Sequence, residues 1–166
     1  MQLWQGIIES EDTTVATLCE LYARNRDAPG FLAAVATLLE VLEEDTAWRA
    51  VWILKAAAEE GVLGVREIEI VARNLDVSRH WAARLILCQL FARVDCPEAE
   101  REILFCFLLK CFEDRRVIVR AWALSAMWRF RRDPRFRTEI ERCMRAAGKD
   151  PGKAMHARLR QLTRHG

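Results

Sequence analysis

Apolar residues recur at helical spacing along almost the whole chain, with polar and charged residues at the positions between them. Apolar residues three and four positions apart fall on one side of an α-helix. The sequence has no sustained alternation of apolar and polar residues, and no Asn-Gly or Asp-Gly pair that would close a β-hairpin. The pattern therefore predicts an all-α protein.

Short polar turns and proline mark the ends of the predicted helices. Proline suits the first turn of a helix because its missing N–H has no partner there, and a preceding Asp can cap the start. Pro97, Pro134 and Pro151 each follow an Asp within two positions, so we expect them to open helices. The predicted helices cover residues 11–26, 29–43, 46–60, 64–75, 77–93, 97–112, 116–131, 134–147 and 151–164.

One type of helix opening recurs along the chain at a nearly regular interval. It starts at an acidic residue and leads into a helix rich in Trp, Ala, Leu and basic residues. The four openings begin at Asp45, Asp76, Asp114 and Asp150, at intervals of 31, 38 and 36 residues. A period of this size is typical of a helical solenoid, whose units bury their apolar faces by stacking on their neighbours.

The short connections make consecutive helices antiparallel neighbours. We therefore group the helices in four pairs behind an N-terminal capping helix, within a single domain that spans residues 1–166. The pairs are 29–43 with 46–60, 64–75 with 77–93, 97–112 with 116–131, and 134–147 with 151–164. We call the second helices of the pairs the B helices.

The B helices carry a resemblance to a known family. Val119–Leu124, which follows Asp114, resembles the start of the second helix of a HEAT repeat, and Trp48-Arg49-Ala50 after Asp45 is similar. The resemblance covers residues 29–164. It implies a right-handed α-α superhelix of about four HEAT-like helix pairs, which binds a macromolecule along the ridge formed by the B helices.

Two of the four openings depart from the family pattern. His80 and His156 stand where the other openings have Arg. Two alignments of the repeats therefore stay open, one with Arg49 opposite His80 and the other with Trp48 opposite Trp81.

The four aspartates that open the B helices have a structural interpretation. In a stack of repeats, an Asp at each turn can cap a helix and pair with an Arg of its own unit or of the next one. We therefore expect structural roles for Asp45, Asp76, Asp114 and Asp150, and we place no catalytic carboxylate among them.

Charge is distributed very unevenly along the chain. The whole sequence has 26 Lys and Arg against 24 Asp and Glu, a net charge of +2. Residues 1–114 hold 11 basic and 20 acidic residues, a net charge of −9, whereas residues 115–166 hold 15 basic and 4 acidic residues, a net charge of +11. The basic third would attract an acidic protein segment or a nucleic acid. Alternatively, the acidic and basic ends of separate copies could associate head to tail.

The densest group of basic residues is Trp128–Arg137, which we call the basic cluster. Arginines interleaved with aromatic rings can bind phosphate or carboxylate groups. A second interpretation, which the sequence leaves open, places Trp128, Phe130 and Phe136 in the core and the arginines on a solvated face. The candidate binding residues on the B helices and in the basic cluster are Arg49, Trp81, Arg84, Arg120, Trp128, Arg129, Arg131, Arg132, Arg135, Arg137 and Arg158.

Other chemistry is not indicated. The sequence has no glycine-rich phosphate loop and no Gly-x-Ser-x-Gly nucleophile turn. Its six cysteines include no Cys-x-x-Cys pair and are expected to be free, mostly buried thiols in a cytoplasmic protein, with no metal and no cofactor. No apolar run reaches the roughly 18 residues that would span a membrane, so we expect no membrane partner. His80 is expected to pack or to cap a helix.

These observations favour a non-enzymatic interaction module that binds a protein partner through the B-helix ridge and the basic C-terminal third. The alternative is a nucleic-acid-binding protein. One family of DNA alkylation-repair glycosylases is similar in being built from HEAT-like repeats, and it uses Trp residues and an Asp in a basic cleft. No Asp of this chain matches a catalytic motif, so no active-site residue is transferred from that family.

Overall fold

A computed structural model of the chain describes residues 3–75 and 80–164, apart from the side chains of residues 3, 4, 44 and 45. The described residues contain ten α-helices and no β-strand, which confirms the all-α prediction. The helices are α1 (Leu3–Glu9), α2 (Val15–Asn25), α3 (Phe31–Leu38), α4 (Glu44–Glu59), α5 (Val65–Arg73), α6 (Trp81–Phe91), α7 (Arg101–Phe112), α8 (Val117–Trp128), α9 (Arg137–Gly148) and α10 (Lys153–Arg164), with a short 3-10 helix at Glu98–Glu100 before α7.

Each of the nine predicted helices corresponds to one helix from α2 to α10, but several end earlier than predicted. The predicted helix 116–131 ends at Trp128 because the next amides bond three residues back rather than four. Arg129 N donates to the Ala126 carbonyl at 3.2 Å, and Phe130 N donates to the Met127 carbonyl at 2.9 Å. Tightening of this kind is common where the last carbonyls of a helix lack partners. The two-turn helix α1 was not predicted.

The prolines do not open the α-helices where the sequence pattern places them. α9 begins three residues after Pro134, and α10 begins two residues after Pro151. In both places the preceding Asp caps a turn rather than the helix. Asp133 Oδ1 accepts the amide of Arg135 at 3.1 Å, and Asp150 Oδ1 accepts the amide of Gly152 at 2.8 Å. A bond from an Asp side chain to the amide two residues on defines an Asx turn.

The B helices pack against one another in series. α4 packs on α6, α6 on α8, and α8 on α10, while α3, α7 and α9 pack on the B helices that follow them. Small residues permit this close stacking. Ala47, Ala50 and Ala57 of α4 and Ala121 and Ala126 of α8 are all buried. This arrangement is compatible with a helical repeat solenoid.

The cysteines and the apolar helices match the sequence-based expectations in part. Cys88, Cys96, Cys111 and Cys143 are buried free thiols, whereas Cys19 and Cys106 are exposed. Burial raises the pKa of the Cys96 thiol to about 12, so this thiol is a weak nucleophile at neutral pH. Among the described residues, no His, Cys, Asp or Glu group could hold a metal ion. No described helix is both long and apolar enough to cross a membrane.

We predict that Gly152→Ala lowers the free energy of unfolding by about 1–3 kcal/mol. A Cβ at Gly152 would overlap the Cγ2 methyl of Val117, the first residue of α8, and the Asp150 carboxylate also lies close by. Urea denaturation followed by circular dichroism measures the change. Gly148→Ala is the matched control, because a Cβ there meets no other atom and Ala favours the helix. Equal stability of the two variants would contradict the close approach of residue 152 to α8.

Candidate binding surface on the B helices

Aspartates at the turns join each B helix to the next unit. Arg84 Nη1 of α6 pairs with Asp114 Oδ2 at 2.9 Å, and Arg120 of α8 donates to Asp150 Oδ2 from Nη2 at 2.8 Å and from Nε at 3.0 Å. In each pair the other oxygen, Oδ1, closes an Asx turn. Asp114 and Asp150 therefore each pair with an Arg as predicted, but that Arg belongs to the preceding unit, and the Asp closes a turn rather than capping the helix.

The other two predicted turn aspartates lie outside the description. Asp76 and the side chain of Asp45 are not among the described residues.

Three of the candidate binding arginines serve these internal contacts. Arg84 and Arg120 are held by the aspartates, and Arg120 also donates to the Asp114 carbonyl at 2.8 Å. Arg49 is only 6% exposed, and its Nη1 donates to the carbonyl of Ile8 near the end of α1 at 2.9 Å. A ligand has little access to Arg49, whereas Arg84 and Arg120 are partly exposed but held by the chain's own groups.

The carboxyl of Asp150 has a lowered pKa. Its burial opposes ionisation, but the amide of Gly152 and the guanidinium of Arg120 stabilise the charged form more strongly. The half-buried His156 completes this junction, because its Nε2 lies 2.5 Å from the Asp150 carbonyl. His156, which stands where two of the other openings have Arg, therefore contacts the turn before its own helix.

Three tryptophans of the B helices have cations over their rings. Trp52, Trp81 and Trp122 are each half-buried, and each has a cation over its ring. The cations lie within the roughly 6 Å at which a ring attracts a positive charge. The pairs are Lys55 over Trp52 at 5.8 Å, Arg116 over Trp81 at 4.7 Å, and Arg158 and Arg93 over Trp122 at 3.8 and 5.4 Å. We call these seven side chains the Trp–cation series.

The Trp–cation series contains two of the predicted binding residues and several that the sequence interpretation missed. Trp81 and Arg158 were predicted, but Lys55, Arg93 and Arg116 were not. One signal was available for the contact with Trp122, since Arg158 follows it by 36 residues, the interval that separates Asp114 from Asp150. Arg93 lies two residues after the end of α6, and the repeat pattern does not predict where its side chain points.

The aromatic residues of the basic cluster belong largely to the core. Phe130 and Phe136 are buried and contact Phe105 of α7 at ring-centroid distances of 5.8 and 4.4 Å. Trp128 is half-buried, and Arg131 stacks over its ring at 5.3 Å while donating to its carbonyl at 3.2 Å. The second sequence interpretation, with aromatic residues packed inward, therefore holds for the two phenylalanines.

Two arginines of the basic cluster are paired with the chain's own carboxylates. Arg129 Nη2 lies 2.5 Å from Asp95 Oδ1, and Arg135 Nη2 lies 2.5 Å from Glu98 Oε1 and 2.6 Å from Asp133 Oδ2. The hydrogen bonds between Arg135 and Asp133 raise the pKa of the guanidinium and lower that of the carboxyl. These contacts join the acidic and basic parts of the same molecule.

Arg132 and Arg137 differ from their paired neighbours. Both are exposed, and neither forms a salt bridge among residues 3–75 and 80–164. Arg132 lines a cleft of about 520 Å³ between the α6–α7 and α8–α9 connections, together with Arg101 and the paired Arg129 and Arg135. Within the basic cluster, Arg132 and Arg137 are the side chains with the most charge free for a partner.

Comparison with family models, with curated proteins and with solved structures finds no significant match for this chain. The interpretation of the surface therefore depends on the contacts of its own residues. Asp114 and Asp150 are held by Arg84 and Arg120, which favours a structural role over a catalytic one for both aspartates.

We predict that Asp114→Ala lowers the free energy of unfolding by about 1–3 kcal/mol, because it removes the partner of Arg84 and the acceptor of the Arg116 amide together. Chemical denaturation measures the loss. Asp95→Ala is the control, since Asp95 is 88% exposed in its pair with Arg129 and should change stability by no more than about 0.5 kcal/mol. A loss for Asp114→Ala no larger than that of the control would show that the turn contacts are dispensable.

We predict that Asp150→Asn destabilises the protein at neutral pH and that its effect fades in acid. A carboxyl whose pKa is lowered by folding stabilises the fold above the pKa of the unfolded chain, about 3.9 for Asp. That stabilisation is lost as the pH falls through the lower, folded-state pKa. Urea midpoints of the wild type and of Asp150→Asn at pH values from 7 to 2.5 should therefore converge in acid.

The control for this pH dependence uses the ion-pair partner. In an Arg120→Gln background, Asp150→Asn should cost less at pH 7, because the guanidinium that favours the charged carboxyl is gone. A difference between wild type and Asp150→Asn that stays constant across the pH range would contradict the assignment.

Proposed function

We propose that this chain is a non-enzymatic interaction module, a HEAT-like right-handed superhelix that binds an acidic protein segment through its B helices and basic C-terminal third. The serial packing of α4, α6, α8 and α10 supports the repeat architecture. The spacing of the two Asp–Arg pairs supports it as well. Arg120 follows Arg84 by 36 residues, and Asp150 follows Asp114 by the same interval.

The observation that carries this proposal is the Trp–cation series. Trp and Arg are the residues that most often contribute large shares of binding energy at protein interfaces. Here all of them except the exposed Arg93 are half-buried, which limits the side-chain entropy lost when a partner binds. The series runs over successive B helices, so one extended acidic segment could contact several of its members.

The pairing within the basic cluster favours a protein partner over nucleic acid. Nucleic acid binds best along an unbroken positive track that follows its phosphates. Asp95, Glu98 and Asp133 interrupt such a track beside Arg129 and Arg135. An acidic protein segment needs only a few well-placed cations, and its carboxylates can be spaced to suit them.

Nucleic-acid binding remains the second candidate, because residues 115–166 carry a net charge of +11. The exposed Arg132 and Arg137 add to this candidate. The two functions differ in salt dependence. Binding to nucleic acid should weaken steeply with added salt because counterions are released from the phosphates.

The test measures fluorescence anisotropy of two labelled probes, a polyglutamate of about 20 residues and a DNA duplex of about 20 base pairs, across a salt titration. We expect the polyglutamate to bind with the shallower salt dependence. Reversing two unpaired charges, in Arg132→Glu with Arg137→Glu, should weaken this binding by roughly tenfold, or about 1.4 kcal/mol. This variant leaves Arg129 and Arg135 with their internal partners and so preserves the fold.

The matched control reverses two exposed cations elsewhere, in Arg66→Glu with Lys110→Glu. It should change polyglutamate binding by less than about threefold, since a distant surface charge contributes little. Tight duplex binding with a steep salt slope, and no binding of polyglutamate, would replace the proposed function with nucleic-acid binding.

A further inference from the structure

Arg93, Trp122 and Arg158 bring two guanidinium groups to one indole ring. We propose that this trio is a carboxylate-binding site, which receives an Asp or Glu side chain that has a large apolar neighbour in the partner segment. The inference rests on the proposed function, because it names the contact point and the sequence chemistry of the acidic partner.

Three consecutive units contribute to the site. Arg93 follows the end of α6, Trp122 lies in the middle of α8, and Arg158 lies in the middle of α10. The guanidinium carbons of Arg158 and Arg93 are 3.8 and 5.4 Å from the centre of the same ring, so they lie within about 9 Å of each other. A carboxylate has two oxygens and can accept hydrogen bonds from two guanidiniums at once.

The chain's own carboxylates do not fully neutralise the positive charge around Arg93 and Arg158. Arg93 Nη2 lies 3.3 Å from Glu59 Oε1, but the same oxygen lies 3.2 Å from Lys55 Nζ. Arg158 Nη1 donates to the neutral amide of Gln161 at 2.9 Å. Two cations, Lys55 and Arg93, therefore share the Glu59 carboxylate, and Arg158 contacts no carboxylate among these bonds, which leaves an excess positive charge for an anion to neutralise.

The surroundings of Arg158 strengthen the case for an anionic ligand. Burial, and the positive charge of Arg93 to a smaller extent, lower the pKa of the Arg158 guanidinium. Both causes disfavour the charged state that Arg nevertheless keeps at neutral pH. A carboxylate placed between the two guanidiniums would relieve their repulsion, and partial burial would strengthen its hydrogen bonds.

The site favours a peptide over a nucleotide. Arg158 lies directly over the Trp122 ring and occupies a face on which a base would otherwise stack. One helical turn before Trp122, Ile118 is 38% exposed. An apolar side chain next to the carboxylate could pack on Ile118 while the carboxylate reaches the arginines.

The test uses a labelled 12-residue peptide of alternating Glu-Leu and Gly-Ser pairs, together with the same peptide carrying Gln in place of Glu. Arg158→Gln should weaken binding of the Glu peptide by tenfold or more. Arg160→Gln removes an equal charge from the exposed side of the same helix and should weaken it by less than twofold. Neither substitution should alter binding of the Gln peptide.

A conservative variant separates charge from geometry. Arg158→Lys keeps the charge but loses the planar stacked group, so it should bind the Glu peptide with intermediate affinity. Thermal unfolding of each variant is measured first. If Arg158→Gln is unfolded, Arg158→Lys and the chemical shift of the Arg158 Nε–H signal on peptide addition take its place.

The outcomes separate the two proposals. If the wild type binds the Glu peptide and Arg158→Gln weakens binding no more than Arg160→Gln does, the carboxylate site is wrong and the proposed function survives. If the wild type binds neither the Glu peptide nor polyglutamate, both are overturned. If a single-stranded oligothymidylate competes with the Glu peptide in the wild type but not in Arg158→Gln, the site takes nucleic acid instead.

Discussion

The contact between an arginine of one B helix and an aspartate at the next turn is the constraint on which the rest of the structure depends. In the Arg120–Asp150 pair, one carboxylate oxygen accepts two guanidinium N–H groups and the other accepts a backbone amide. A half-buried carboxylate without such partners would destabilise the fold by about 1–3 kcal/mol. With them, the pair fixes the direction in which the chain leaves α9 and the position of α10 beside α8.

Because this contact is repeated, it positions surface side chains as well as buried ones. The Arg84–Asp114 pair joins α6 to the turn before α8. The Arg120–Asp150 pair joins α8 to the turn before α10 in the same way. Side chains at equivalent positions of successive helices then lie near one another. That is how Arg158, which the repeat interval places opposite Trp122, comes to lie over the Trp122 ring. The position of Arg158 over Trp122 therefore follows from the Asp–Arg pairs that hold the helices together.

The features that the sequence predicted correctly are those that neighbouring residues determine. Helix periodicity is a property of neighbouring residues, so nine helices could be placed from the apolar pattern. Pairing of the turn aspartates with arginines was also expected, but with an Arg of the same or the next unit rather than of the preceding one. The start of α9 after Pro134 was wrong by three residues, because the Asp133 side chain stabilises a turn that competes with the first turn of the helix. Lys55 over Trp52 was within reach of a local rule, since the two residues are three positions apart on α4. Arg93 over Trp122 and Arg116 over Trp81 could not be predicted, because each cation lies beside a different helix from its ring and its direction depends on packing.

The net charge of a sequence segment overstates the charge that is available to a binding partner. The value of +11 for residues 115–166 counts Arg129 and Arg135 in full, yet Asp95 and Glu98 of the acidic part neutralise them within the same molecule. Each such pair also removes charge from the head-to-tail association that the asymmetry predicts between copies. What remains for recognition is a smaller set of cations, and half-burial against an indole gives Arg158 a fixed position among them. A fixed charge loses less entropy on binding than a mobile one, so under the proposed function specificity would depend more on where the arginines are held than on how many there are.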